Sequence, residues 1–315
     1  MREFIINEND AGQRLDKFLT KACKALPQSM LYKSIRLKKI KVNGRKADIS
    51  YHLQVGDCLK LYINDDFFEA KEETGAFLHI KPNLNIIYED VNLMLVDKKP
   101  GVIVHSDEKE GFNTLIEHIK AYLYQKGEFV PEKENSFTPS LCNRIDRNTG
   151  GIVIAAKNAA TLRIINEKIK NKEIKKFYLL LAHGIIKEKS GKLTDFLVKS
   201  EEQNKVYVTD RKTENSKTAV TLYKVLKENE NLSLVEAELI TGRTHQIRAQ
   251  FAAIGHPLVG DTKYGTNEMN KGVNRKYQAL YSYKVTFDFE ETAEHLQYLK
   301  GKTFIVKNVD FAENF

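Results

Sequence analysis

The first sixty-four residues alternate between helical and strand periodicity. Leu15, Phe18, Leu19, Ala22 and Leu26 recur at helical spacing, which predicts an amphipathic helix stopped by Pro27. Ser29 is placed to cap a short second helix through MLYKSIRLKK. The stretch IKVNGRKA carries Asn43-Gly44, the strongest short hairpin signal, and VGDCLKLYI reads as a Gly-Asp turn followed by an alternating strand. Residues 1–64 are thus expected to form a small α+β module. Residues 65–84 turn acidic and lose periodicity, as expected of a linker, with phenylalanines available to dock on a neighbour.

From residue 85 to 315 strands dominate. NIIYEDVNLMLVDK reads as strand, tight turn, strand, and KPGVIVH as a Pro-Gly turn with a short strand. Residues 124–140 are polar with two prolines and read as a surface insertion. GGIVIAAK is a continuous apolar run, the signature of a strand buried on both faces. Ala159, Leu162, Ile165 and Ile169 mark an amphipathic helix, and KKFYLLLAHG a buried strand. TAVTLYKVLKENENLSLVEAEL predicts a hairpin, and QIRAQFAAIG a helix with Ile247, Phe251 and Ile254 on one face and Gly255 as its stop. ALYSYKVTF and TFIVKNVDF add strands. Hairpin connections favour a mixed, largely antiparallel sheet with a few packed helices, an α+β fold.

Composition sharpens this picture in two places. With 315 residues, 42% of them hydrophobic, the chain has enough length and apolar content for two packed domains. No N-terminal apolar segment suggests a signal peptide, and no apolar run approaches the ~18 residues of a membrane span. A cytoplasmic protein with no membrane partner, a monomer by default, is expected. Three cysteines without a Cys-x-x-Cys pair point to reduced thiols rather than a zinc or thioredoxin-like site. The second place is charge. Residues 14–46 hold eleven Lys and Arg against the single acid Asp16, so this segment alone exceeds the whole chain's net +8. Such a local excess reads as a footprint for a polyanion. Lys33, Arg36, Lys38, Lys39, Lys41, Arg45 and Lys46 are its candidate phosphate contacts.

The candidate chemistry begins at NRIDRNTGGIVIAAK, residues 143–157. Asp146 lies between Arg144 and Arg147. A calcium loop is excluded, because Gly150 and Lys157 occupy positions where carboxylate or amide ligands are needed. Read alone, the stretch is a polar turn before a buried strand. A second polar cluster, TGRTHQIRAQFAAIGHPLVGDTKYG, supplies Arg243, His245, Gln246 and Arg248 near a helix start, and Tyr178 interrupts an apolar strand. An aspartate can act as nucleophile or base, and a guanidinium can orient it through a charge-assisted contact. A tyrosine offers a face for stacking on a base, and an arginine can fill the place of a base withdrawn from its stack. These residue types suit metal-free, cofactor-free chemistry on one nucleotide of RNA.

At these residues the chain resembles the RluA-type pseudouridine synthases. The resemblance covers most of residues 85–290 and rests on IIYEDVNLMLVDKKPGVIVH, NRIDRNTGGIVIAAK, KKFYLLLAHG and GRTHQIRAQFAAIGHPLVGDTKYG. Residues 12–60 resemble, more loosely, the alpha-L RNA-binding module that many of these enzymes carry. The resemblance implies that Asp146 is the catalytic aspartate, acting on the sugar so that the glycosidic bond breaks and the uracil rejoins through carbon. It implies that Arg144 takes the place of the flipped base, that Tyr178 stacks on the uracil and assists proton removal, and that Arg248 pairs with Asp146. Arg243, His245 and Gln246 would serve the substrate, and Leu280 would wall the pocket. Asn143 departs from the family's histidine and removes a titratable group from that position.

The expectation is therefore an RNA isomerase without metal or cofactor. Its expected partner is ribosomal RNA, most naturally of the large subunit, with transfer RNA as the other target class. The alternative is a non-catalytic RNA-binding or ribosome-assembly factor that keeps the fold.

Overall fold

The computed structural model describes residues 1–64, 67–68, 75–105, 113–313 and 315. The chain divides into two compact units. One comprises 1–83, 116–140 and 156–162, and the other 84–115, 141–155 and 163–315. Among the described residues no helix is long and apolar enough to cross a membrane.

In the first unit, strands β1 (Arg2–Ile5), β2 (Ile40–Val42), β3 (Arg45–Lys46) and β4 (Cys58–Leu61) form a sheet in the order β1-β4-β2-β3, with helices α1 (Leu15–Ala22) and α2 (Gln28–Arg36). Asn43 and Gly44 both have positive φ, 50° and 74°, as a two-residue hairpin turn demands. Phe18, Leu19, Leu53 and Leu59 are fully buried in the core of this unit. Two expectations shift. Helix α1 ends at Ala22, leaving Leu26 to pack in the core from outside the helix. The N-cap of α2 is Pro27, with Ser29 inside the helix. The expected linker lies partly outside the described residues, but its Phe67 and Phe68 pack against the same core.

A helix the periodicity reading missed, α3 (Leu115–Gln125), precedes the supposed surface insertion. That segment is not wholly superficial, since Phe129 and Phe137 are buried. Asn135 and Ser136 donate to the fully buried Asp10, each at 2.6 Å.

The second unit is built on an eleven-stranded sheet. Its members are β5 (Ile86–Glu89), β6 (Leu93–Lys98), β7 (Ser140–Leu141), β8 (Gly150–Ala156), β9 (Ile174–His183), β10 (Ser190–Ser200), β11 (Lys205–Thr209), β12 (Lys217–Glu228), β13 (Leu232–Leu239), β14 (Leu280–Phe287) and β15 (Thr303–Ile305). The order is β11-β10-β12-β13-β9-β14-β8-β6-β5, with β7 on β8 and β15 on β14. The β14–β8 pair is parallel, and the pairs from β11 through β14 are antiparallel, so the sheet is mixed and largely antiparallel. The expected short strand after Pro100-Gly101 does not form. Gly101 turns at φ 92°, and the Nζ of Lys98 takes up the carbonyls of Lys99 and Val102.

All seven residues of β8 are buried. Ile152 and Ile154 pack with Ile164 and Ile165 of helix α4 (Ala159–Lys170) and with Val285 and Phe287 of β14. The glycine pair that opens β8 has a steric cause. Gly151 adopts φ 113°, and a Cβ there would collide with the Ser282 backbone, while one at Gly150 would strike the Tyr281 ring.

Candidate active site

The turn carrying Asp146 is held from three sides. Thr149 N donates to Asp146 O at 3.0 Å, and Gly101 N donates to Arg147 O at 2.9 Å. Buried Lys98 donates to that same Arg147 carbonyl at 2.9 Å, and Gln278 donates to the Thr149 hydroxyl at 3.2 Å. Burial pulls the Lys98 ammonium down to about 7, against the charges of Asp146 and Asp97. Its three carbonyl acceptors favour the protonated form, because a neutral amine has only two hydrogens to give. The Asn143 side chain does the work of a backbone unit. Its Oδ1 accepts from Ile154 N at 2.7 Å, and its Nδ2 faces Ile152 O at 3.4 Å, which ties the start of the turn to β8.

Arg248 rises from helix α5 (Gln246–Ala253), whose first turns are buried on every side. Polar residues tolerate that burial because each is satisfied. Gln246 accepts from Thr241 Oγ1 and Arg243 N and donates to Val220 O and Thr221 Oγ1. Gln250 bridges Asp195 and Thr221, both at 2.6 Å. Arg248 donates Nη1 to Asp146 Oδ2 at 2.9 Å, and Nε and Nη2 to Asp261 at 2.7 and 3.0 Å. Burial works against its charge, but Asp261 and then Asp146 more than offset it and hold the guanidinium above its usual range. Its plane lies over Tyr264, 5.1 Å from the ring centre.

His245 precedes α5 in the left-handed region, φ 50°, a conformation that costs a non-glycine residue about 1–3 kcal/mol. That backbone sets Nε2 3.8 Å from Asp146 Oδ2 and Nδ1 3.0 Å from the Tyr264 hydroxyl. Burial, then the charges of Arg248 and Lys263, hold its pKa below the usual value against the pull of Asp146.

Tyr178 is buried on β9, opposite Ser282 of β14 and Ala237 of β13. Burial, with the charge of Asp146 adding to it, pushes its hydroxyl up to about 12, so the phenol keeps its proton at neutral pH. Leu280, at the start of β14, is buried and lines a cavity of about 210 Å³ with Pro100, Gln278 and Tyr281, whose lining does not include Asp146, Tyr178 or Arg248. Arg144 is exposed beside the Asp146 turn. Arg243 is also exposed and donates Nε to Thr218 O at 3.1 Å. Gln246 is 2% exposed and its amide is used by four protein groups, so it serves the fold rather than an outside ligand.

Residues that sequence reading passed over complete the cluster. Asp261 is the second carboxylate on Arg248, and Tyr264 joins Arg248 to His245. Both lie in GDTKYG, inside the polar stretch that supplied Arg248, and their density there was the available signal. Among the described residues, no group of three or more His, Cys, Asp or Glu side chains could hold a metal ion. In the first unit, Lys33, Arg36, Lys38, Lys39, Arg45 and Lys46 are exposed, and Lys41 stands over the Tyr62 ring at 5.4 Å.

Comparison with known proteins places the chain in a family. The family model described as RNA pseudouridylate synthase matches residues 92–253, and the S4 domain model matches residues 13–58. The ribosomal large subunit pseudouridine synthase C of Vibrio parahaemolyticus is 35% identical over 265 residues, 82% of this chain and 79% of that one. Its counterpart from Buchnera aphidicola subsp. Acyrthosiphon pisum is 32% identical over 87% of this chain and 83% of that protein. An uncharacterized RNA pseudouridine synthase of Mycoplasma capricolum is 33% identical over 99% of both chains. The solved structure of Human RNA Pseudouridylate Synthase Domain Containing 4 shares the fold with a TM-score of 0.56 at 19% identity, over 72% of this chain and 89% of that one. The two family models, with relatives 32–35% identical over 82–99% of the chain, show the result: the chain belongs to the RNA pseudouridylate synthase family and carries an S4 domain near its N-terminus.

Proposed function

We propose that this protein converts selected uridines of large-subunit ribosomal RNA to pseudouridine, with Asp146 as the catalytic aspartate. Members of its family isomerise uridine in RNA, and the Vibrio and Buchnera relatives are named for the large ribosomal subunit. In the reaction the bond from C1′ to N1 breaks, the uracil turns, and C5 bonds to C1′. The C5 proton leaves and N1 carries a proton in the product. Atoms and electrons balance within the nucleotide, so no co-reactant is consumed.

The observation that carries the reading is the Arg248–Asp146 contact of 2.9 Å beside buried Tyr178. A carboxylate oriented by a rigid arginine suits attack on, or proton removal from, the sugar of a flipped nucleotide. Tyr178 provides a stacking face and a hydroxyl that moves a proton only in concert with a partner, since its own pKa is high. Arg144, exposed next to the turn, suits the space vacated by the base. Arg243 and His245 line the approach, and Leu280 walls it. Residues 1–64 form the RNA-binding module, 65–84 the linker and 85–315 the catalytic domain. The exposed lysines and arginines of α2 and the β2–β3 hairpin meet phosphates. The protein works as a monomer in the cytoplasm.

The test is a map of pseudouridines in ribosomal and transfer RNA from cells with and without the gene, paired with modification by the purified protein. The reading expects specific large-subunit sites to disappear on deletion and return in vitro. Loss confined to transfer RNA would overturn the target assignment, and no loss anywhere would overturn the activity.

A further inference from the structure

Only one oxygen of Asp146 is tied to the protein among the described residues. Arg248 Nη1 meets Oδ2 at 2.9 Å, and His245 Nε2 faces the same Oδ2 at 3.8 Å. Whether His245 strengthens that grip depends on which ring nitrogen carries its proton.

Tyr264 decides it. Its hydroxyl oxygen accepts from Val206 N at 2.9 Å and lies 3.0 Å from His245 Nδ1. If Nδ1 were protonated, the phenol oxygen would take two donors and its own hydrogen would have no acceptor shown among the described residues. If Nδ1 is bare, the hydroxyl donates to it, and the Tyr264 hydroxyl and Nδ1 are both satisfied. The second arrangement puts the imidazole proton on Nε2, the nitrogen that faces Asp146. The Tyr264 ring is itself fixed, with Arg248 5.1 Å from its centre and Lys205 also at 5.1 Å. His245 accepts a left-handed backbone to sit where it does.

We propose that Tyr264 and His245 are positioning residues that lock an Nε2–H imidazole against Asp146 Oδ2, so that Oδ2 is the anchored oxygen and Oδ1 the one presented to the nucleotide. The role in catalysis rests on the function proposed above, but the tautomer does not. A carboxylate hydrogen-bonded through Oδ2 to Arg248, with the Nε2–H dipole 3.8 Å from the same oxygen, is biased toward a single rotamer, and its other oxygen is left open along one direction.

Two measurements test this. Long-range nitrogen–proton NMR of the full chain labelled with 15N-histidine reads the tautomer at neutral pH, with His245 assigned by the signal lost in His245→Gln. The wild type should show the Nε2–H form, and Tyr264→Phe should mix the two forms. A wild-type Nδ1–H form overturns the proposal, as does a Tyr264→Phe spectrum unchanged from wild type. Single-turnover rates are then measured on transcripts of large-subunit ribosomal RNA and on bulk transfer RNA. His245→Ala should slow conversion about tenfold, as expected for a carboxylate left less well oriented, with KM unchanged. His245→Gln, which can place an N–H near the Nε2 position, should recover most of the rate. An unchanged rate in His245→Ala, a change in KM alone, or no recovery in His245→Gln contradicts the positioning role. Failure of the wild type on both RNAs would count against the proposed function and leave the tautomer result standing.

Discussion

Arg248 grips Asp261 with two of its nitrogens, Nε at 2.7 Å and Nη2 at 3.0 Å, and reaches Asp146 with the third. Asp261 is fully buried and is itself fixed, since its Oδ1 accepts from Lys263 N at 3.0 Å and Tyr264 N at 3.2 Å. Placement therefore runs from the backbone of one loop through Asp261 and Arg248 to Asp146. A two-point contact fixes the guanidinium plane in a way a point charge would not.

Asp261→Asn should consequently damage catalysis although the residue is set back behind Arg248. It removes one of two carboxylates from a buried arginine. A stability loss of about 1–3 kcal/mol is expected from the weakened charged hydrogen bonds, together with a fall in single-turnover rate of about a hundredfold from the loosened aspartate. RNA affinity should stay near the wild-type value. Denaturant titration, rate measurement and filter binding read the three effects separately.

Asn143 supplies a second prediction. Its amide oxygen is an acceptor for Ile154 N at 2.7 Å, so Asn143→Ala leaves a β8 amide without that partner. The expected cost is about 1–2 kcal/mol of stability, with slower turnover. Asn143→His restores an acceptor through a ring nitrogen and should regain most of the stability. Thermal melts of both variants check this. A melt of Asn143→Ala identical to wild type would show that the contact contributes nothing.

The first unit carries a pH dependence of its own. Burial raises the Asp57 pKa, but hydrogen bonds from Gln54 N, the Asn43 amide and the Tyr51 hydroxyl outweigh it, and the folded value lies below the usual carboxylate one. A depressed carboxylate contributes stability that is fully present above the unfolded pKa of about 4 and is lost as pH falls through the folded value. Amide exchange around the Asn43-Gly44 turn should therefore accelerate as pH is lowered below about 4, beyond the intrinsic exchange rate. Asp57→Asn should flatten that added dependence.

Binding to RNA by the basic module should weaken with salt, because each neutralised phosphate releases counterions. Replacing the exposed Lys38, Lys39 and Arg45 together by alanine should reduce the slope of log affinity against log salt by about two to three. A slope unchanged by the triple substitution would place the phosphate contacts elsewhere.

Much of the fold was legible because the deciding interactions are local or strictly periodic. Asn43-Gly44 demanded a hairpin, and the unbroken apolar run of β8 demanded burial on both faces. Arg144, Asp146 and Arg248 stood out as polar groups before a strand or at a helix start, and Tyr178 as an interruption of an apolar strand; the structure brings Asp146 and Arg248 into contact across 102 residues. What was missed depends on contacts that no local pattern encodes. Asp261 reads as a turn residue until the arginine of α5 is seen to face it. The left-handed backbone of His245 has no sequence mark, since glycine and asparagine are the residues that announce it. Residues after Gly101 look like a strand, but the Val102 carbonyl is drawn to Lys98 and the Ile103 carbonyl to Leu115 N instead of a ladder. Gln246 reads as a group serving the substrate, yet β12 and its neighbours satisfy its amide inside the protein.

The most direct measurement is single-turnover conversion of uridine to pseudouridine by Asp146→Asn, with RNA binding followed on the same preparation. Asparagine keeps the size of the side chain and can still accept from Arg248, but it offers no carboxylate to the sugar. The account predicts RNA affinity close to wild type and a rate lowered by at least about 10⁴, the scale on which loss of an essential nucleophile or base is felt. Conversion by Asp146→Asn at a rate within tenfold of wild type would contradict the assignment of Asp146 as the catalytic group.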